Sequence, residues 1–315
     1  MNAPFHPSVT SNVIEVEKVT KSFGQHVAVH DLSFTVPAGT IYGFIGPNGS
    51  GKTTTLRMIL HIYFPDPGIG RIRVLGTENL SACNERIGYL PEERGLYKKM
   101  KVREILCFYA ALKGRRDARR AADDWLGKMD LSTWADKKVE TLSKGMAQRV
   151  QFISAVIAEP ELIILDEPFT GLDPVNADLL RNAVIDLRNK GATIIFSTHD
   201  MSMAEKMCDF VLMIFKGRKV LDGTLDQIRG THGQDTVRVR LQGNGVDFAR
   251  LPGVERVNDF GQFKELRLDG RMDSQELLTA LMKRGQVNHF EVAHPSLHDI
   301  FVRIASPTDQ EPSHA

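Results

Sequence analysis

The chain opens on alternating hydrophobic and polar positions. Val13-Ile14-Glu15-Val16-Glu17 and Leu32-Ser33-Phe34-Thr35-Val36 repeat with a period of two, the pattern of half-buried strands. Ile41-Tyr42-Gly43-Phe44-Ile45 is apolar and runs into a glycine-rich turn, after which residues 53–62 read as a helix. From about 101 to 157 the pattern is mostly helical, with Val102, Ile105, Leu106, Tyr109 and Leu112 predicted on one face. Strand patterns return at 162–165, 193–197 and 210–215. Strands and turn, then helices, then strands alternating with helices predict an α/β core carrying a helical subdomain.

A second unit is predicted from near Gly230, after Gly223 and the break Gly230-Thr231-His232-Gly233. Thr236-Val237-Arg238-Val239-Arg240-Leu241 alternates, and Asp273-Ser274-Gln275-Glu276 has capping-box spacing ahead of Leu277, Leu278 and Leu281. Phe290-Glu291-Val292 reads as another strand, and Pro295-Ser296-Leu297-His298-Asp299 opens a short terminal helix. The expected domains are 1–229, with the helical subdomain at about 95–157, then a small α+β accessory domain at 230–305. Residues 306–315 are polar and proline-bearing, the composition of a disordered tail.

Composition narrows the class. A chain of 315 residues with 42% hydrophobic content can bury a large core. Its 40 basic and 39 acidic residues leave a formal charge of +1, which speaks against a protein that mainly coats nucleic acid. The basic run Arg115-Arg116…Arg119-Arg120 is followed by Asp123 and Asp124, so Arg119–Asp123 and Arg120–Asp124 pairs on a solvated helix face are expected. Cys83, Cys107 and Cys208 share no metal-ligand spacing and fit a reduced compartment. Residues 1–12 lack the pattern of a signal peptide, and the longest apolar runs fall far below the roughly 20 residues of a membrane helix, so a soluble chain is expected.

The chemistry gathers in four places. Gly46-Pro47-Asn48-Gly49-Ser50-Gly51-Lys52-Thr53 matches G-x-x-x-x-G-K-[ST] between a strand and a helix, where backbone N–H groups turn inward on phosphate oxygens. Lys52 would reach the β and γ phosphates, and Thr53 would place its hydroxyl on Mg²⁺. Asp166 ends the apolar run Leu162-Ile163-Ile164-Leu165, as a Mg²⁺-associated acid should, and Glu167 beside it is placed to accept a proton from, or orient, the water attacking the γ phosphate. His199 follows the strand Ile194-Ile195-Phe196-Ser197, where it would bond the γ phosphate and hold Glu167 and the water. Finally, Leu142-Ser143-Lys144-Gly145-Met146-Ala147-Gln148 lies about 20 residues ahead of the acidic strand.

The ordered set Gly46…Thr53, Ser143-x-Gly145, Asp166-Glu167, Thr170-Gly171-Leu172-Asp173 and His199 resembles the ATP-binding cassette (ABC) ATPase family over about residues 13–229. With the ending Pro295-Ser296-Leu297-His298-Asp299-Ile300-Phe301, it looks like ATPase subunits of bacterial export systems, including sodium- and drug-exporter-like members. The fold implied is a P-loop cassette with a helical subdomain and an N-terminal antiparallel β portion, plus the small α+β domain. The resemblance implies a head-to-tail dimer of ATPase subunits, a homodimer by preference. ATP on the 46–54 loop of one subunit, Thr54 included, would be covered by Ser143 and Gly145 of the other, with Asp173 crossing the interface. The helix after Ser143 would bring a second positive dipole end to the γ phosphate. Phe23 sits where the family puts an aromatic against adenine, with a core phenylalanine as the competing reading.

Two departures from the family pattern stand out. Glu92, followed by Glu93, replaces the usual glutamine after Gly88-Tyr89-Leu90-Pro91; a carboxylate there can still ligate Mg²⁺ and orient water. Lys144 and Met146 replace a glycine and a glutamine in the signature, which leaves Ser143 and Gly145 in place. Lys98, Lys99, Lys101 and Arg103 lie where the family docks a helix of its membrane partner, or else form a solvated helix start. Met201, Met203 and Met207 read as a packing face, and His289, His294 and His298 lack the framework of a metal site.

The expected function is an ATPase subunit that powers a separate multi-span membrane permease, for export, from the cytoplasmic face of the membrane. A soluble ABC ATPase acting on nucleic acid or ribosomes is the alternative; single-cassette length and the lack of a heptad run or Cys pairs weigh against it. A binding module that uses ATP only to dimerise is opposed by Glu167 and His199.

Overall fold

A computed structural model describes residues 11–68, 70–93, 95–231, 236–242, 247–293 and 295–305. The expectations for the tail, for His294 and for His232-Gly233 lie outside these residues. The chain divides between Thr224 and Leu225 into two compact units.

The first unit runs β1 (Asn12–Phe23), β2 (His26–Pro37), β3 (Ile41–Ile45), α1 (Lys52–Ile59), β4 (Arg71–Val74) and β5 (Ile87–Leu90). It continues through α2 (Val102–Leu112), α3 (Ala118–Lys128), α4 (Lys144–Val156), β6 (Leu162–Asp166), α5 (Pro174–Asn189), β7 (Thr193–Thr198), α6 (Met201–Met207), β8 (Phe210–Phe215) and β9 (Arg218–Gly223). A six-stranded sheet in the order β5-β6-β7-β3-β8-β9 is parallel except for the β8–β9 pair. A three-stranded antiparallel sheet, β2-β1-β4, completes the unit.

Every residue of β3, β6 and β7 is buried, as expected for parallel strands covered on both faces. The two-residue period sends alternate side chains into two cores. Ile41, Ile163, Leu165, Ile194 and Phe196 pack with residues of α2 to α5. Tyr42, Phe44, Leu162, Ile164 and Ile195 pack with α1 and the antiparallel sheet.

Three local expectations change. Helix α1 stops at Ile59 rather than residue 62, because His61 takes a left-handed backbone (φ 53°) that a helix cannot continue through. On α2 the inward face is Val102, Ile105, Leu106 and Ala110, while Leu112 is 61% exposed. Asp123 pairs with Arg103 at 2.7 Å instead of Arg119; Arg103 also holds Asp136 at 2.5 Å, so one guanidinium joins α2 to α3 and to the turn beyond it. The Arg120–Asp124 pair is present at 3.9 Å.

The second unit contains α7 (Leu225–Thr231), β10 (Thr236–Gln242), β11 (Val254–Asp259), β12 (Lys264–Leu268), α8 (Ser274–Met282), β13 (Gln286–Ala293) and α9 (Leu297–Ala305). Gly230 and Thr231 belong to α7 and do not break the chain. The strands form an antiparallel sheet in the order β11-β12-β10-β13. Val237, Val239, Leu266 and Leu268 pack with Leu277 and Leu281 of α8. Asp273 caps α8: it accepts from the Glu276 amide at 2.8 Å, and Glu276 accepts from the Asp273 amide at 3.1 Å.

Candidate active site

The carboxyl ends of β3, β6 and β7 lie side by side, with Asp166 opposite Ser197 and Ile45 opposite Thr198. In parallel α/β sheets this edge is where ligands bind. The loop after β3 needs its glycines: Gly46 and Gly51 have φ of 149° and 108°, and a Cβ on Gly51 would stand 2.6 Å from the Ala28 carbonyl oxygen.

Lys52, the first residue of α1, folds over the loop. Its ammonium donates to the carbonyls of Gly46 (2.8 Å) and Pro47 (3.2 Å) and lies 3.8 Å from Glu167 Oε1. Burial pulls the Lys52 pKa below the usual lysine value, against the opposing pull of Glu167, Asp166 and Glu92. The site is a buried cation ringed by acids, suited to trade its carbonyl partners for phosphate oxygens.

Asp166 is fully buried. Its Oδ1 accepts from Thr53 (3.2 Å) and Ser197 (2.5 Å), while Oδ2 is buried with no hydrogen-bond partner. Burial raises the carboxyl's pKa and the two hydroxyl bonds work against that shift. An orphaned buried carboxylate oxygen beside a threonine hydroxyl fits a hard cation. Among the described residues no group of three His, Cys, Asp or Glu could hold a metal ion. Mg²⁺ typically takes one or two carboxylates with substrate phosphates and water, a pattern that one free carboxylate oxygen beside a hydroxyl suits.

Glu167 has a left-handed backbone (φ 50°), an unfavourable conformation costing about 1–2 kcal/mol in a non-glycine residue. Its buried carboxylate accepts from Thr170 Oγ1 at 3.1 Å, and His199 Nδ1 lies 3.1 Å from both of its oxygens. His199 itself is 52% exposed, so its ring stays accessible to a ligand.

A cavity of about 450 Å³ brings together Phe23, Asn48, Gly49, Gly51, Lys52, Thr53, Thr54, Glu92 and Glu167. Phe23 is 44% exposed, which sets aside the core reading; its ring meets the edge of Tyr63 at 5.3 Å. Gly46, Pro47 and Ser50 supply the rest of the loop. Ser143, Gly145 and Asp173 do not line this cavity. Ser143 is the exposed N-cap of α4, accepting from the Met146 amide at 3.2 Å, and Asp173 is the exposed N-cap of α5. Lys144 lays its stem over Gly171, where a Cβ would come within 2.9 Å of Lys144 Cε.

Motif spacing does not reveal Ser197, His26 or Gln151, and it names Gln148 only as the last residue of the Ser143 string. His26 lines the cavity. Gln148 and Gln151, buried on α4, donate to carbonyls beside the two acidic segments: Gln148 to Pro168 (3.2 Å), Gln151 to Pro91 (3.2 Å) and Glu93 (3.0 Å). For Gln151 the only sequence signal is a polar residue on the buried face of a helix.

The ABC transporter family profile matches residues 29–170, and the profile of the ATP-binding protein DrrA1-3-like, C-terminal domain, matches 223–305. An uncharacterized ABC transporter ATP-binding protein of Bacillus subtilis, YhaQ, is 41% identical over 292 residues, covering 92% of this chain and 97% of that protein. The chain belongs to the ABC transporter ATP-binding protein family. Nod factor export ATP-binding protein I of Burkholderia lata is 38% identical over 307 residues, covering 95% of this chain and 98% of the relative. A solved ATP-binding subunit of an ABC transporter superposes with a TM-score of 0.66 at 32% identity, covering 70% of this chain and 93% of its own. ABC cassettes bind and hydrolyse ATP, so the chain is an ATPase subunit of this family. Among its described residues no helix is long and apolar enough to cross a membrane.

Proposed function

We propose that the chain hydrolyses ATP in the 450 Å³ cavity and, as a homodimer, powers a separate membrane permease that exports its cargo. The observation carrying the hydrolytic role is the buried Glu167 carboxylate, fixed by His199 and Thr170 and 3.8 Å from the Lys52 ammonium. Lys52 and the loop amides bind the phosphates, while Phe23 offers its exposed ring to the base. Glu167 takes the proton of the attacking water, and His199 holds the carboxylate in place. Asp166, Thr53 and Glu92 would hold Mg²⁺, which supplies positive charge to the β and γ phosphates when bound. Ser143 and Asp173, both exposed, and the half-buried Gly145 lie outside their own subunit's cavity and serve the neighbouring subunit's ATP.

An apolar surface supports docking to a permease. A groove of about 370 Å³ includes Ile62, Leu96, Tyr109 and Lys113, and Ile62, Tyr97, Phe108 and Leu112 are exposed large hydrophobics. Such a surface suits a short cytoplasmic helix of a membrane partner. Attachment is then to the cytoplasmic face, through that partner. Export is supported by similarity to a relative named for Nod factor export. We take the nucleotide-binding domain to end at the division after Thr224, a few residues before the expected 229, with residues from 225 as the accessory domain.

Phosphate release tests the hydrolytic role. Glu167→Gln should bind ATP as the parent does and release phosphate at least ~100-fold more slowly. Undiminished release would remove Glu167 from the chemistry.

A further inference from the structure

We propose that Ser197 is a positioning residue that sets both acids of the site: it aims the free oxygen of Asp166 at the cation and pins the backbone of Glu167. The inference rests on the proposed metal role of Asp166. Ser197 is fully buried on β7, directly across from Asp166 in the β6–β7 register. A hydroxyl has one hydrogen to give and lone pairs to receive. Here the hydrogen goes to Asp166 Oδ1 at 2.5 Å, and a lone pair accepts the Glu167 amide at 2.9 Å.

Both bonds have a consequence at the site. Thr53 also donates to Asp166 Oδ1, so turning the carboxylate would break two hydrogen bonds at once. The oxygen left over, Oδ2, is buried and without a partner. That is the orientation a cation ligand needs before any cation arrives. The amide of Glu167 belongs to a residue in left-handed backbone, and the bond to Ser197 satisfies its buried N–H in that conformation. Alanine at 197 leaves the amide unsatisfied and lets the carboxylate rotate. Threonine keeps both bonds, and cysteine keeps them only weakly.

The test is binding of a fluorescent, non-hydrolysable ATP analogue to the full chain, titrated with Mg²⁺ and repeated in EDTA. Outer-shell partners of metal ligands typically contribute 10–100-fold in metal affinity. Ser197→Ala should need at least ~10-fold more Mg²⁺ for half-maximal binding, with EDTA binding within about twofold of the parent. Ser197→Thr should restore the parental midpoint, and Ser197→Cys should fall between them. If Ser197→Ala does not fold, the Ser197→Cys midpoint carries the test. An unshifted Mg²⁺ midpoint, or equal losses with and without Mg²⁺, overturns the positioning role. Asp166→Asn is the control: if it too leaves the midpoint unshifted, the metal role of Asp166 fails instead.

Discussion

At the scale of single residues, Asp166 is held where its own charge is unfavourable. Burial raises its pKa, so the native carboxyl binds a proton more tightly than the unfolded one does. Stability therefore falls as pH rises from the ordinary aspartate value through the raised native one, and above that the loss is complete. Asp166→Asn removes the buried charge and should raise stability near neutral pH by about 1 kcal/mol, roughly 2–4 °C in the unfolding midpoint. The gain should shrink as pH is lowered toward the ordinary carboxyl range. Thermal melts at about pH 8 and about pH 4.5 check the sign; a variant less stable than its parent at the higher pH contradicts it. Asp166, Lys52 and Glu167 are legible in the sequence because their motifs are local. Ser197 is not, because only the pairing of β6 with β7 brings it to Asp166.

At the scale of elements, the central strands are legible because burial on both faces leaves continuous apolar runs. Short β4 and β9 carry too few alternations to stand out, and the stop of α1 depends on one backbone angle at His61. Helix α2 is the informative miss. Leu112 fits an apolar stripe on paper, yet the helix buries Ala110 and turns Leu112 outward, on a surface that also exposes Tyr97 and Phe108. That exposure is what a docking surface requires. Leu112→Glu should leave basal ATPase within about twofold while reducing stimulation by the permease at least ~10-fold, since a charge in an apolar contact costs more than 1.4 kcal/mol. Reconstituting both variants with the permease in vesicles measures it. Full stimulation of Leu112→Glu would move the docking site elsewhere.

At the scale of the whole molecule, the residues of the family pattern divide into two groups. Lys52, Thr53, Asp166, Glu167 and His199 meet at one strand edge, while Ser143 and Asp173 cap α4 and α5 at exposed positions outside the cavity. On the proposed function, each subunit carries two different halves of a composite site, and a second subunit supplies the complement to each. The resemblance to ABC cassettes implies this sharing, while the separation of Ser143 and Asp173 from the cavity is apparent only in three dimensions. The most direct measurement is the mass in solution, by light scattering, of Glu167→Gln with ATP and Mg²⁺. The expected result is a stable dimer with ATP that reverts to monomer when Ser143→Arg is added to the same chain. A persistent monomer of Glu167→Gln with bound ATP, or a dimer indifferent to Ser143→Arg, would contradict the shared site.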